Sequence, residues 1–197
     1  MREETPAIWL FGPLGAGKST LARAAAAAWP GAGEVLDEDA AEGPAGTGGK
    51  VSRDALAKAE LRAASDALAL QRAGKGVVLA RTSPWREPRV KAWSRLPGVF
   101  SVYLSCPLQV RVNRDESGLY QRALAGGLPG LPGLDAPFEK PAKGALVLDT
   151  ARQTPAQALA ELGRALWGRD GPEGRGKTAA PSMDQMVLER LADLGYI

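Results

Sequence analysis

At 197 residues and 20.6 kDa the chain has the length of one compact domain, which leaves little room for a repeat array or a multi-domain machine. Hydrophobic residues make up 45% and charged residues 24%, so global disorder is excluded and a real core can be buried. The formal charge is +3, with 25 basic and 22 acidic residues interleaved along the chain. That excess is too small to argue for a nucleic-acid partner, and it suits anionic small molecules. With one cysteine, Cys106, and no histidine, the chain can form no intrachain disulfide, thiolate cluster, histidine metal site or Ser-His-Asp triad. Acid–base work falls to carboxylates, lysine or tyrosine. Apolar runs such as Gly76–Ala80 are too short to cross a bilayer, and Met1–Pro6 lacks the charge pattern of a signal peptide, so the expectation is a cytoplasmic protein with no membrane partner.

Taken in order, Ala7–Phe11, Glu34–Leu36, Gly76–Ala80, Val99–Leu104 and Ala145–Leu148 read as five short strands. Between them Lys18–Trp29, Arg53–Arg72, Glu87–Leu96, Leu108–Arg114 and Pro155–Trp167 are rich in helix formers. This alternation predicts an α/β fold, three layers with a parallel five-stranded sheet between helices. Two segments break the rhythm. Gly126–Gly144 is dense in Gly and Pro and is expected to be a mobile lid loop over the site. Gly168–Ala180 reads as a linker, and Ser182–Ile197 as a C-terminal amphipathic helix with a capping box at Ser182 and Gln185. The domain expectation is therefore a P-loop kinase domain over 1–167, a linker over 168–181 and a helical tail over 182–197.

Directly after the first strand, Gly12-Pro13-Leu14-Gly15-Ala16-Gly17-Lys18-Ser19 fits the phosphate-loop pattern, and Thr20 follows. Glycines let backbone N–H groups approach phosphate oxygens, and the helix N-terminus adds its positive end. Lys18 is placed to reach the β- and γ-phosphates and the Ser19 hydroxyl to coordinate Mg²⁺. The expected cofactors are ATP and Mg²⁺. A guanine switch is argued against because the sole asparagine, Asn113, is followed by Arg114 rather than lysine. Small-molecule kinase is the remaining class.

Further blocks carry a family likeness. Trp9–Thr20, Ser83-Pro84-Trp85-Arg86, Cys106-Pro107-Leu108, Arg114-Asp115, Gly118-Leu119-Tyr120, Gly133-Leu134-Asp135 with Pro137-Phe138-Glu139, and Leu146–Thr150 resemble adenylylsulfate kinases in order and spacing. The resemblance implies transfer of the ATP γ-phosphate to the 3′-hydroxyl of adenosine 5′-phosphosulfate (APS), a small-molecule partner, and a homodimer. It also implies that Gly12–Thr20 hold ATP and magnesium, and that Asp37-Glu38-Asp39 fill the family's Asp-Gly-Asp. On that reading Asp39 is the base and Asp37 assists the metal. Arg114 and Arg111 become lid cations, and Arg81, Ser83, Arg86, Gly133 and Asp135 lie on the acceptor and lid side. The departures cluster at the acceptor. Family arginines correspond to residues within Ala40–Glu42, to Leu56 and to Leu61, the adenine-stacking Phe to Val51, and an asparagine to Ala59. Arg53, Arg81, Arg86 and Arg89 are the candidate replacements. Two alternatives stay open: a P-loop kinase for another small hydroxyl substrate, and a nucleotide-binding protein with little catalysis.

Overall fold

The computed structural model describes residues 6–29, 33–38, 52–141 and 144–168. Asp39, Ala40–Glu42 and Val51 lie outside these, as do the linker and helix expected beyond Gly168.

Five strands form one parallel sheet: β1 Ala7–Phe11, β2 Glu34–Asp37, β3 Val77–Arg81, β4 Phe100–Ser105 and β5 Leu146–Asp149, in the spatial order β2-β3-β1-β4-β5. Each strand was expected from its apolar run. The last four end one residue later than expected because their final residues, Asp37, Arg81, Ser105 and Asp149, still pair in the ladder although they are polar. β1 is central and buried on both faces, which is why AIWLF is an unbroken apolar run and not an alternating one. Its side chains alternate between two cores. Ile8 and Leu10 pack with Val78, Leu104, Leu159 and the alanines of α1 (Lys18–Ala27), whereas Trp9 and Phe11 pack with Leu79, Ala64, Ala67 and Leu96.

On the first face lie α1 and α6 (Pro155–Trp167); α2 (Arg53–Arg72) and α3 (Arg86–Trp93) cover the second. α2 begins where the Ser52 Oγ accepts the Ala55 N–H at 3.0 Å, and it buries Leu56, Glu60, Ala63, Ala64 and Ala67 at helical spacing. α6 opens with a capping box between Thr154 and Gln157 and has Pro155 in its first turn. α4 spans Leu108–Asn113. A further helix, α5 (Leu119–Leu124), was not expected from the sequence. It has only six residues and is started from outside itself: Asp115 accepts the Tyr120 N–H, and Gly118 takes a left-handed φ of 68°. The Gly126–Gly144 segment contains no helix among its described residues, and a single bridge joins Pro132 and Ala136.

β1 feeds β2 on one side and neighbours β4 on the other, so the chain changes direction at its carboxyl end. That crevice is where open α/β sheets bind ligands.

Candidate active site

The loop Gly12–Gly17 leaves β1 at this switch point. Its first residue must be glycine: a Cβ on Gly12 would lie 2.7 Å from the Leu104 carbonyl oxygen, a backbone atom that cannot step aside. Gly17, with φ 87°, caps α1 without a side-chain hydrogen bond. The first turn of a helix aims its N–H groups and the positive end of its dipole out of the N-terminus, the arrangement that suits phosphate oxygens. Gly15, Gly17, Lys18, Ser19 and Thr20 line a cleft of about 470 Å³ together with Arg114, Thr150, Gln153 and Thr154. This cleft brings six expected residues together, Gly15, Gly17, Lys18, Ser19, Thr20 and Arg114. Of the β5–α6 residues that complete it, Thr150 ends the Leu146–Thr150 block, whereas Gln153 and Thr154 carried no signal in the sequence.

Lys18 is buried, with its ammonium 3.2 Å from the Pro13 carbonyl oxygen. The Ser19 hydroxyl donates to Asp37 Oδ1 at 3.1 Å, and Arg23 lies 3.6 Å from the other Asp37 oxygen. A hydroxyl beside a carboxylate at the phosphate loop is a hard-oxygen pair suited to Mg²⁺, which keeps most of its shell as water and phosphate. Among the described residues no group of three or more His, Cys, Asp or Glu side chains is placed to hold a metal ion. Arg114 donates to the Thr150 carbonyl at 2.8 Å, which holds its guanidinium at the cleft wall.

Arg111 takes another place than the lid position the resemblance suggested. It is buried, donating to the Cys106 carbonyl at 3.1 Å, the Gly133 carbonyl at 3.0 Å and the Tyr120 hydroxyl, which in turn donates to the Leu14 carbonyl at 2.8 Å. It ties the lid loop and α5 to the phosphate loop instead of presenting its charge to the nucleotide. Asp135 organises the same loop by accepting the N–H groups of Gly130 and Leu131.

On the opposite face of the sheet, Arg81 is enclosed and not a free cation of an open cleft. It lies 3.3 Å from Glu60 and 3.4 Å from Glu38, while Glu38 also accepts the Thr82 N–H. Ser83 accepts from Trp9 Nε1 at 3.2 Å and donates to Glu60 at 2.9 Å. Arg89 is equally buried, 4.3 Å above the Phe11 ring, and Arg53 pairs with Glu87 at the surface. The Arg86 guanidinium donates to the Lys140 carbonyl, and Glu139 accepts the Arg86 N–H, so the far end of the lid loop is fastened to α3. Glu60 escaped the sequence reading altogether. The available signal was a carboxylate within the apolar stripe of α2.

Burial pushes the Glu60 carboxyl up to about 7, opposed by Arg81 and reinforced by Glu38. Because the folded value lies above the unfolded 4.5, this group's stability contribution is complete below pH 4.5 and is lost as pH rises through 7. The loss is on the order of 3 kcal/mol. Thermal melts from pH 5 to 8 are expected to show a shallower pH dependence for Glu60→Gln than for the parent; equal slopes would contradict the assignment.

A family model described as adenylylsulphate kinase matches residues 4–149. The chain belongs to the adenylylsulphate kinase family. It is 36% identical over 146 residues to a probable adenylyl-sulfate kinase of Archaeoglobus fulgidus, covering 73% of this chain and 94% of that one. A probable bifunctional SAT/APS kinase 2 of Sorangium cellulosum is 32% identical over 158 residues, or 79% of this chain but only 27% of that longer protein. Among solved structures, the APS kinase of Mycobacterium tuberculosis in complex with AMPPNP and APS superposes with a TM-score of 0.71 at 27% identity, over 81% of this chain and 96% of that one. These matches agree with the resemblance carried by the Ser83–Arg86, Gly118–Tyr120 and Leu146–Thr150 blocks. Like its relatives, the chain is a P-loop kinase with an α/β fold. No helix among the described residues is long and apolar enough to cross a membrane.

Proposed function

We propose that this member of the family transfers the γ-phosphate of ATP to the ribose 3′-hydroxyl of APS. The observation that carries the reading is the cleft in which Lys18, Ser19 and Arg114 converge beside Asp37, in a chain matched by the family model over residues 4–149. Backbone N–H groups of Gly12–Thr20 bind the phosphates, and Lys18 neutralises charge as it spreads over the transferring phosphoryl. Ser19 and Asp37 would hold Mg²⁺, which would supply neutralisation of the phosphate charge. Arg114, fixed by Thr150, lines the same cleft as Lys18, so two cations serve the triphosphate there. Asp39 orients the acceptor hydroxyl and takes its proton. Ser83 and Arg86 flank the acceptor, and the 126–144 loop covers it.

The test is ADP release from Mg-ATP with and without APS. Stimulation by micromolar APS is expected. Unchanged release alongside intact ATP binding would refute the acceptor. A second reading, another small hydroxyl acceptor, is favoured by one observation: Leu56, Ala59 and Leu61 stand where the resemblance implies arginine, asparagine and arginine. Stimulation by such an acceptor alone would establish it.

A further inference from the structure

Ser83 is the one non-glycine residue among the described residues with a positive φ, 45°. A side chain in this region strains the backbone, and such strain persists only where the surroundings over-determine it. Here the surroundings do so from three sides. Trp9 Nε1 donates to the Ser83 hydroxyl at 3.2 Å, the hydroxyl donates to Glu60 Oε1 at 2.9 Å, and Arg89 Nη1 donates to the Ser83 carbonyl at 2.6 Å. Glu60 is braced in its turn by Arg81, and Arg81 by Glu38. All of these residues but Trp9 are charged or polar, and all are buried.

Burying two carboxyl groups with two guanidiniums often gives a fold no more stability than well-packed apolar side chains of similar volume would. The arrangement therefore calls for a purpose other than stability. Its location suggests one. Arg81 pairs with Phe11, the last residue of β1 before the phosphate loop, so the strained segment leaves the sheet beside that loop on the α2 and α3 side. The donor cleft takes up the α1 and α6 side. The carboxyl end of β3 is the part of the crevice left for the acceptor.

We propose that Glu60 and Arg81 are positioning residues for the acceptor: the Glu60–Arg81 pair holds Ser83 in its left-handed conformation and so aims the Ser83–Arg86 segment at the substrate that receives the phosphoryl group. The inference rests on the proposed acceptor reading, and it assigns to two buried residues part of the acceptor affinity that missing surface cations would otherwise supply. Glu60 reaches the acceptor only through Ser83, so its replacement acts on acceptor binding and leaves the ATP cleft alone.

Steady-state kinetics with ATP and APS on purified Glu60→Leu, Glu60→Gln and the double variant Glu60→Leu/Arg81→Leu test this. Glu60→Leu is expected to raise the KM for APS by about 10- to 100-fold, the effect of losing a hydrogen bond to a charged group, while the KM for ATP stays within about twofold. Glu60→Gln keeps an oxygen for the Ser83 hydroxyl and is expected to recover most of that loss. In Glu60→Leu the Arg81 charge keeps Glu38 as its partner, and in the double variant Glu38 keeps the Thr82 N–H, so both are expected to fold and to show the raised KM for APS. A parental KM for APS in the double variant, or equal shifts in both KM values, overturns the inference while leaving the acceptor reading intact. A parent chain that binds ATP yet does not turn over APS overturns the acceptor reading and the inference with it.

Discussion

Replacing Lys18 by alanine is expected to lower kcat for phosphoryl transfer by about a thousandfold or more while leaving a folded protein. Lys18 starts α1 and is buried beneath the phosphate loop, with its ammonium held at the Pro13 carbonyl. A charge in that place is enclosed by protein and little screened, so it is expected to act on the transferring phosphoryl more strongly than a surface lysine could. Fixed donors aimed at developing charge are worth about two to three powers of ten each, and a full positive charge belongs at the upper end. Lys18→Arg is not expected to rescue turnover, because the planar guanidinium is larger and cannot stand in for a compact point charge against a tight loop. ADP release under saturating Mg-ATP, with melting temperature as the folding control, checks both variants. Parental turnover by a folded Lys18→Ala protein would show that transfer does not run through the phosphate loop.

The second large effect is on stability. Arg111→Leu is expected to cost about 3 to 5 kcal/mol, because one buried guanidinium satisfies two carbonyls and the Tyr120 hydroxyl, and a leucine leaves all three without that donor. For a chain of this size that is a fall of about 6 to 20 °C in melting temperature. Because the Tyr120 hydroxyl also donates to Leu14 in the phosphate loop, the ATP KM should rise with the loss of stability. Arg111→Lys should recover little of either, since a single ammonium cannot reach three acceptors arranged around a planar fork. A thermal melt within about 2 °C of the parent would show that the network carries little energy.

These two residues mark how far local reading reaches. Lys18 was legible because the phosphate loop is a short, contiguous code in which every residue acts on its immediate neighbours: strand, close glycine turn, helix start, lysine, hydroxyl. Arg111 was not, because an arginine on a short helix reads as solvated unless the elements that bury it are known, and Gly133 and Tyr120 belong to other segments. Glu60 was missed for the same reason. Its place in the α2 stripe is visible, but a single carboxylate in such a stripe gains meaning only when Arg81 and Ser83 arrive from the end of β3. α5 was missed because its capping carboxylate and glycine precede a run too short to show a period.

By itself the sequence determined the βα alternation, the parallel sheet, the phosphate loop and the family likeness, because strand burial, helix propensity and the loop's glycines act over a few residues and need no distant partner. The tertiary structure alone decided which charges are buried and what they hold. Arg81 became the partner of Glu38 and Glu60, Arg111 the tie between lid loop and phosphate loop, and Arg114 a wall of the cleft. The physical reason is that desolvation and ion pairing are set by every group around a charge. Those groups lie up to tens of residues away in the chain and meet only after the sheet has assembled.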